Sequence, residues 1–156
     1  MGAITLKPTE MPARPASAYQ HEIQITWGDC DPARIVYTGR LPWFALDAIN
    51  GWWKEHLGQG WYELELDRDI GTPFVRLEMD FIKPVTPRHR LICHAWPIAL
   101  GNTSISFRVE GEQDGALCFS ASTVSVFIIA SAFKKQPPPQ DIQDLLTPFL
   151  TETALS

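Results

Sequence analysis

RLPWFALDAINGWWKEHL, residues 40–57, is the stretch that decides the fold. Leu41, Trp43, Phe44, Ala45, Leu46, Ala48, Ile49, Trp52, Trp53 and Leu57 fill most of the circumference of a helix. Only Asp47, Asn50 and Lys54 form a polar stripe, at helical spacing. A helix this apolar must be covered on most sides. One amphipathic sheet wrapped around it supplies that cover.

The flanking residues read as such a sheet. From Tyr19 to Trp27, His21, Ile23, Ile25 and Trp27 alternate with Glu22, Gln24 and Thr26, the period of a half-buried strand. Residues 72–83 alternate again, with Val75, Leu77, Met79 and Phe81 opposite Arg76, Glu78 and Asp80, until Pro84 and Pro87 end the pattern. Residues 89–99, 103–110 and 116–129 are further strands, separated by turns at Gly101-Asn102 and at Gly111 to Gly115. The order predicts an α+β fold, a five-stranded antiparallel sheet around a long central helix. Residues 1–18, with Pro8, Pro12 and Pro15, read as an irregular leader, 19–136 as the domain, and 137–156 as a tail. In that tail Ile142, Leu145, Leu146 and Phe149 suggest a short helix.

Composition narrows the function. A net charge of −5 disfavours sequence-independent binding of nucleic acid, which requires a basic face. Cys30, Cys93 and Cys118 are an odd set without a C-x-x-C pair, and no H-x-x-x-H spacing occurs. Free thiols in a reducing compartment and no metal site are therefore expected. No apolar run has the length of a membrane span, and a cytoplasmic protein without a membrane partner is the expectation.

The chemistry concentrates in Gly28-Asp29-Cys30-Asp31-Pro32-Ala33-Arg34-Ile35-Val36-Tyr37, which joins the first strand to the helix. Pro32 restricts the backbone of Asp31 to extended geometry, so its carboxylate sits on a stiff turn facing a helix start. Asp31 is thus either an ordinary turn aspartate bonded to nearby amides or a catalytic carboxylate.

This segment resembles the signature of the 4-hydroxybenzoyl-CoA thioesterase family, Asp-x-Asp-Pro-Ala-Gly-x-Val followed by an aromatic residue. Ile70-Gly71-Thr72-Pro73-Phe74-Val75 is a second, weaker match, and the likeness spans roughly residues 20–130. The resemblance implies a hot-dog fold, a homodimer or a homotetramer built from dimers, and an active site across the subunit interface. It implies an acyl-CoA substrate, with an aromatic or short-to-medium acyl group, and no cofactor beyond the coenzyme A of the substrate. Asp31 would be nucleophile or general base, and the backbone amides of Thr38 and Gly39 would polarise the thioester carbonyl. The physical chemistry agrees: a thioester is a reactive acyl donor, and amides at a helix start stabilise developing negative charge.

Other positions are expected to play lesser parts. Tyr37, Asp47 and Thr72 are candidates for substrate contact, Thr72 as a pocket-side residue after the Gly71 turn and Asp47 either against a polar group of the acyl chain or, equally, as part of the polar stripe. Arg88 and Arg90, or Lys134 and Lys135, are candidates for the coenzyme phosphates, because the turn at Leu100 to Ser104 carries no charge. Arg34 replaces the family's glycine and either meets the pyrophosphate or points into solvent. Cys30 lies between two carboxylates, a poor setting for a thiolate nucleophile. The Thr38 position lacks the histidine of some relatives, which disfavours a dehydratase. A thioester-binding protein without catalysis is the remaining alternative.

Overall fold

A computed structural model describes residues 13–155, so the first twelve residues of the expected leader lie outside the described residues. The chain runs β1 (Tyr19–Ile23), a 3-10 turn (Trp27–Asp29), α1 (Arg40–Leu57), α2 (Trp61–Arg68), β2 (Ile70–Gly71), β3 (Phe74–Phe81), β4 (Leu91–Leu100), β5 (Ser104–Gln113), β6 (Ala116–Val126), β7 (Ile128–Ile129), β8 (Lys134–Lys135) and α3 (Gln140–Leu155). Five strands form one antiparallel sheet in the order β1-β4-β5-β6-β3, and β2, β7 and β8 form a small second sheet. This is the expected hot-dog architecture.

Helix α1 occupies the predicted residues. Pro42 falls in its first turn, where its missing N–H costs nothing. The helix stops at Gly58, whose amide still donates to the Lys54 carbonyl at 3.0 Å and whose left-handed φ of 76° turns the chain out of the helix. Trp52 is fully buried and meets Trp53, Phe107 and Phe149 edge-on, with ring centroids 5.1–5.2 Å apart. Edge-to-face contacts of this kind add about 0.5–1.5 kcal/mol each to the burial of the rings.

The helix covers only part of the sheet. Its main contacts are with β1, β4 and β5. On β3, Leu77 and Phe81 pair with Thr123 and Phe119 of β6, and Phe119 belongs to the core, so both side chains face the helix layer. Yet Leu77 is 41% and Phe81 54% exposed. The β3 edge therefore presents apolar surface that this chain leaves uncovered.

Several predicted boundaries shift. The first strand ends at Ile23, and Trp27 leaves the alternation for the 3-10 turn, 74% exposed. The run 116–129 divides into β6 and β7 around Phe127. Helix α2 was not anticipated. Its Tyr62, Leu64 and Leu66 alternate with Glu63, Glu65 and Asp67 like a strand, but Glu63 caps the Gly60 amide at 3.0 Å and starts a helix. The expected tail is no appendage: α3 packs on β4 and α1, and Ile142 and Leu146 are fully buried. Pro15 is buried as well, Arg14 reaches Glu112 at 3.4 Å and Ser17 bonds Glu152, so residues 13–18 belong to the domain surface.

Candidate active site

The segment between the 3-10 turn and α1 is a folded clasp. The buried Asp29 carboxylate takes the amide and hydroxyl of Thr26 on Oδ2 at 2.9 and 3.0 Å, and the Arg40 guanidinium on Oδ1 at 2.9 and 3.2 Å. Its carbonyl accepts the Tyr37 amide at 2.9 Å, and the Val36 amide reaches Val85 at 2.8 Å. The motif is thus tied at once to the first residue of α1 and to the segment after β3. Burial alone would raise the Asp29 pKa; the Thr26 and Arg40 hydrogen bonds and the Arg40 charge outweigh it, leaving the group below its ordinary range.

That direction fixes a pH dependence. Stability contributed by a lowered carboxyl is present above its unfolded pKa of about 3.9 and lost as pH falls through the folded value. Unfolding free energy should therefore drop on acidification below about pH 4, and Asp29→Asn should flatten that limb while costing about 2 kcal/mol at neutral pH. Urea titrations from pH 3 to pH 7 measure both effects.

Asp31 stands in a closed turn. Its amide donates to the Ile35 carbonyl at 3.0 Å, its carbonyl accepts the Arg34 amide at 2.9 Å, and its Oδ1 accepts the Ala33 amide at 2.8 Å. Asp31 as a residue is half-buried, and its Oδ2 has no partner among the described residues. Arg34 is exposed and adopts the left-handed φ of 65° that the glycine at this position in related motifs would accept freely. An arginine pays strain there, so Arg34→Gly should raise stability by up to about 1 kcal/mol, seen as a higher Tm.

Thr38 and Gly39 follow the clasp and enter α1. The Tyr37 carbonyl accepts the Arg40 amide at 2.9 Å and the Thr38 carbonyl accepts the Leu41 amide at 3.2 Å, which closes the turn into the helix. Among the described residues, neither the Thr38 nor the Gly39 amide donates to a backbone carbonyl. The first turn of α1 holds no acidic side chain, so no carboxylate within it neutralises the positive end of the helix. Tyr37 is 56% exposed, and its ring lies across Gly39: a Cβ there would come within 2.5 Å of the ring. A cavity of about 230 Å³ opens beside Thr38, lined by Ile35, Leu41, Phe81, Lys83 and Val85 among others.

The remaining candidates lie apart within one chain. Asp47 is exposed on α1 in a polar cleft of about 350 Å³ with Tyr19, His21, Asn50 and Lys54. Thr72 lines a third cavity, of about 260 Å³, between α2 and the start of β3. Arg88 is exposed; Arg90 pairs with Glu22 at 2.8 Å, and Lys134 and Lys135 are exposed on β8. Cys30, Cys93 and Cys118 are free thiols, and burial pushes Cys93 above its ordinary range. The sequence alone does not mark Arg40, because nothing in a lone arginine eleven residues downstream of Asp29 announces its partner.

The family model described as "Thioesterase-like superfamily" matches residues 25–146. A thioesterase-superfamily crystal structure from Jannaschia sp. CCS1 is 57% identical, covers 90% of this chain and 98% of its own, and superposes with a TM-score of 0.87. A 1,4-dihydroxy-2-naphthoyl-CoA thioesterase from Synechocystis is 22% identical over 84% of this chain and 96% of its own, with a TM-score of 0.75. A DHNA-CoA thioesterase from Staphylococcus aureus, 17% identical over 83% and 88%, also reaches 0.75. No curated protein sequence matches the chain.

Proposed function

Because this chain belongs to the thioesterase-like superfamily, it is a thioester hydrolase, and we propose that it cleaves an acyl-coenzyme A thioester at the Asp31 turn. The observation that carries this reading is the Asp29 clasp. It ties the strand-to-helix segment containing Asp31 to the N-terminal turn of α1, whose Thr38 and Gly39 amides are unengaged.

Either role of Asp31 balances. As nucleophile, a carboxylate oxygen bonds the carbonyl carbon, the oxyanion is held by the amides, the C–S bond breaks, and water then hydrolyses the anhydride. As base, the carboxylate takes a proton from the water that attacks. Both routes give a free acid and the thiol of coenzyme A. Losing one oxyanion donor typically costs about 10²–10³ in rate. The chemistry asks for no cofactor, coenzyme A being part of the substrate.

The motif of residues 29–37 supports placement near the 4-hydroxybenzoyl-CoA thioesterases, and with it an aromatic or short-to-medium acyl group. Tyr37 and Asp47 would meet that group, and the exposed Arg88 and Arg90 the coenzyme phosphates. The uncovered β3 edge supports a homodimer formed by edge-to-edge pairing of two β3 strands, and a homotetramer of such dimers. Antiparallel pairing centred near Leu77 would set Phe74 of one copy beside Phe81 of the other, bringing Thr72 of one to the Thr38 cavity of its mate. A charge on such an edge opposes pairing. Leu77→Lys should accordingly convert a dimer to monomers in sedimentation velocity; a wild-type monomer would remove the interface. No described helix is long and apolar enough to cross a membrane, and three free cysteines suit the cytoplasm.

The decisive experiment follows free-thiol release from a panel of acyl-CoA thioesters. Turnover of at least one supports the reading. Binding of one with turnover of none would leave a thioester-binding protein instead.

A further inference from the structure

The cavity between α2 and the start of β3 has an unusual lining. Trp61 and Phe74 stand at 81° with ring centroids 5.4 Å apart, forming two walls of a corner. Phe133 stands at the rim, 77% exposed, held at a left-handed φ of 47° that a bulky side chain rarely tolerates. Glu65 is the one charged lining residue, and among the described residues its carboxylate has no ion pair or hydrogen bond. Trp61 is held in place because its amide donates to Asn50 Oδ1 at 2.9 Å and Gly60 is capped by Glu63.

Aromatic faces around a carboxylate attract a cation, and they favour one that asks for few hydrogen bonds. A fully substituted ammonium meets that description, whereas a primary ammonium would need several acceptors, and of the lining side chains only Glu65 and Thr72 carry an acceptor oxygen. We propose that this cavity receives a quaternary ammonium group carried by the acyl part of the thioester, an inference that rests on the hydrolase reading above. With β3 strands paired as described, the box of one copy flanks the carbonyl site of the other. A short acyl chain would then span from the box to the Asp31 turn, and hydrolysis releases the cationic acid and the thiol.

The test compares trimethylammonioacetyl-CoA with its neutral isostere, tert-butylacetyl-CoA, which has the same shape and no charge. The wild-type chain should favour the cationic thioester by about a hundredfold in kcat/KM. Glu65→Gln and Trp61→Leu should each reduce that ratio about tenfold. Equal kcat/KM values in the wild type, or a ratio unmoved by both substitutions, would overturn the proposal. If neither thioester turns over, the hydrolase reading is judged by the wider acyl-CoA panel and the box by binding alone. Isothermal titration with tetramethylammonium chloride then decides: binding that Trp61→Leu abolishes supports the box, and no binding overturns it.

Discussion

Asp31→Asn should lower kcat for thioester hydrolysis at least about a hundredfold, or about 2.7 kcal/mol in barrier height, with Tm within about 2 °C of wild type. The substitution is chosen for what it keeps. Asparagine retains the oxygen that accepts the Ala33 amide, and the turn closed by the Asp31–Ile35 and Arg34–Asp31 bonds makes no demand on charge. What it loses is a nucleophilic, proton-accepting oxygen. Asp31→Ala would mix the two losses, because it also leaves the Ala33 amide without its acceptor. Wild-type turnover in Asp31→Asn would show that the carboxylate only shapes its turn, and the mechanism would be wrong. A lower Tm with lost activity would instead mark the residue as structural.

Leu146→Ala should destabilise the fold by about 2–5 kcal/mol, and removal of everything after Pro139 should prevent folding altogether. Leu146 and Ile142 are both fully buried in the one core, and Phe149 stacks edge-on against Trp52 with centroids 5.2 Å apart. A domain with ordinary stability of about 5–15 kcal/mol does not survive the loss of three such side chains. His56 adds a signature. It lies between Trp52 and Phe149, with ring centroids 4.7 and 4.6 Å away, and burial holds its pKa below the usual range despite Glu55. Protonation therefore opposes folding once pH falls below the unfolded value of about 6.5. Urea unfolding of the point variant and circular dichroism of the truncated chain are the measurements. A truncated chain with native secondary structure and a cooperative transition would make α3 an accessory.

Much of this was legible in residues alone. The apolar circumference of residues 41–57 required cover, and alternation at residues 72–83 and 103–110 marked strands to provide it, which the structure places at Phe74–Phe81 and Ser104–Gln113. The Asp-Pro turn ahead of the helix marked Asp31, but by itself it fits an ordinary turn aspartate as well; a catalytic role is what the resemblance of residues 29–37 to the thioesterase signature implies. Helix α2 was not legible, because its period-two pattern looks like a strand and only the Gly60–Glu63 cap starts a helix. Nor was the clasp, since Asp29 and Arg40 acquire meaning only when the chain brings them to 2.9 Å.

The sequence by itself determined which segments are apolar, with what period, and where the chain must turn, because these follow from local sterics and from the drive to hide hydrocarbon. Tertiary structure alone decided that α3 is core, that Asp29 is a buried ionised anchor, and that β3 is an edge with bare apolar side chains. The reason is physical: burial, ion pairing and edge exposure are properties of what lies opposite a residue in space, and neighbours in the chain do not encode them.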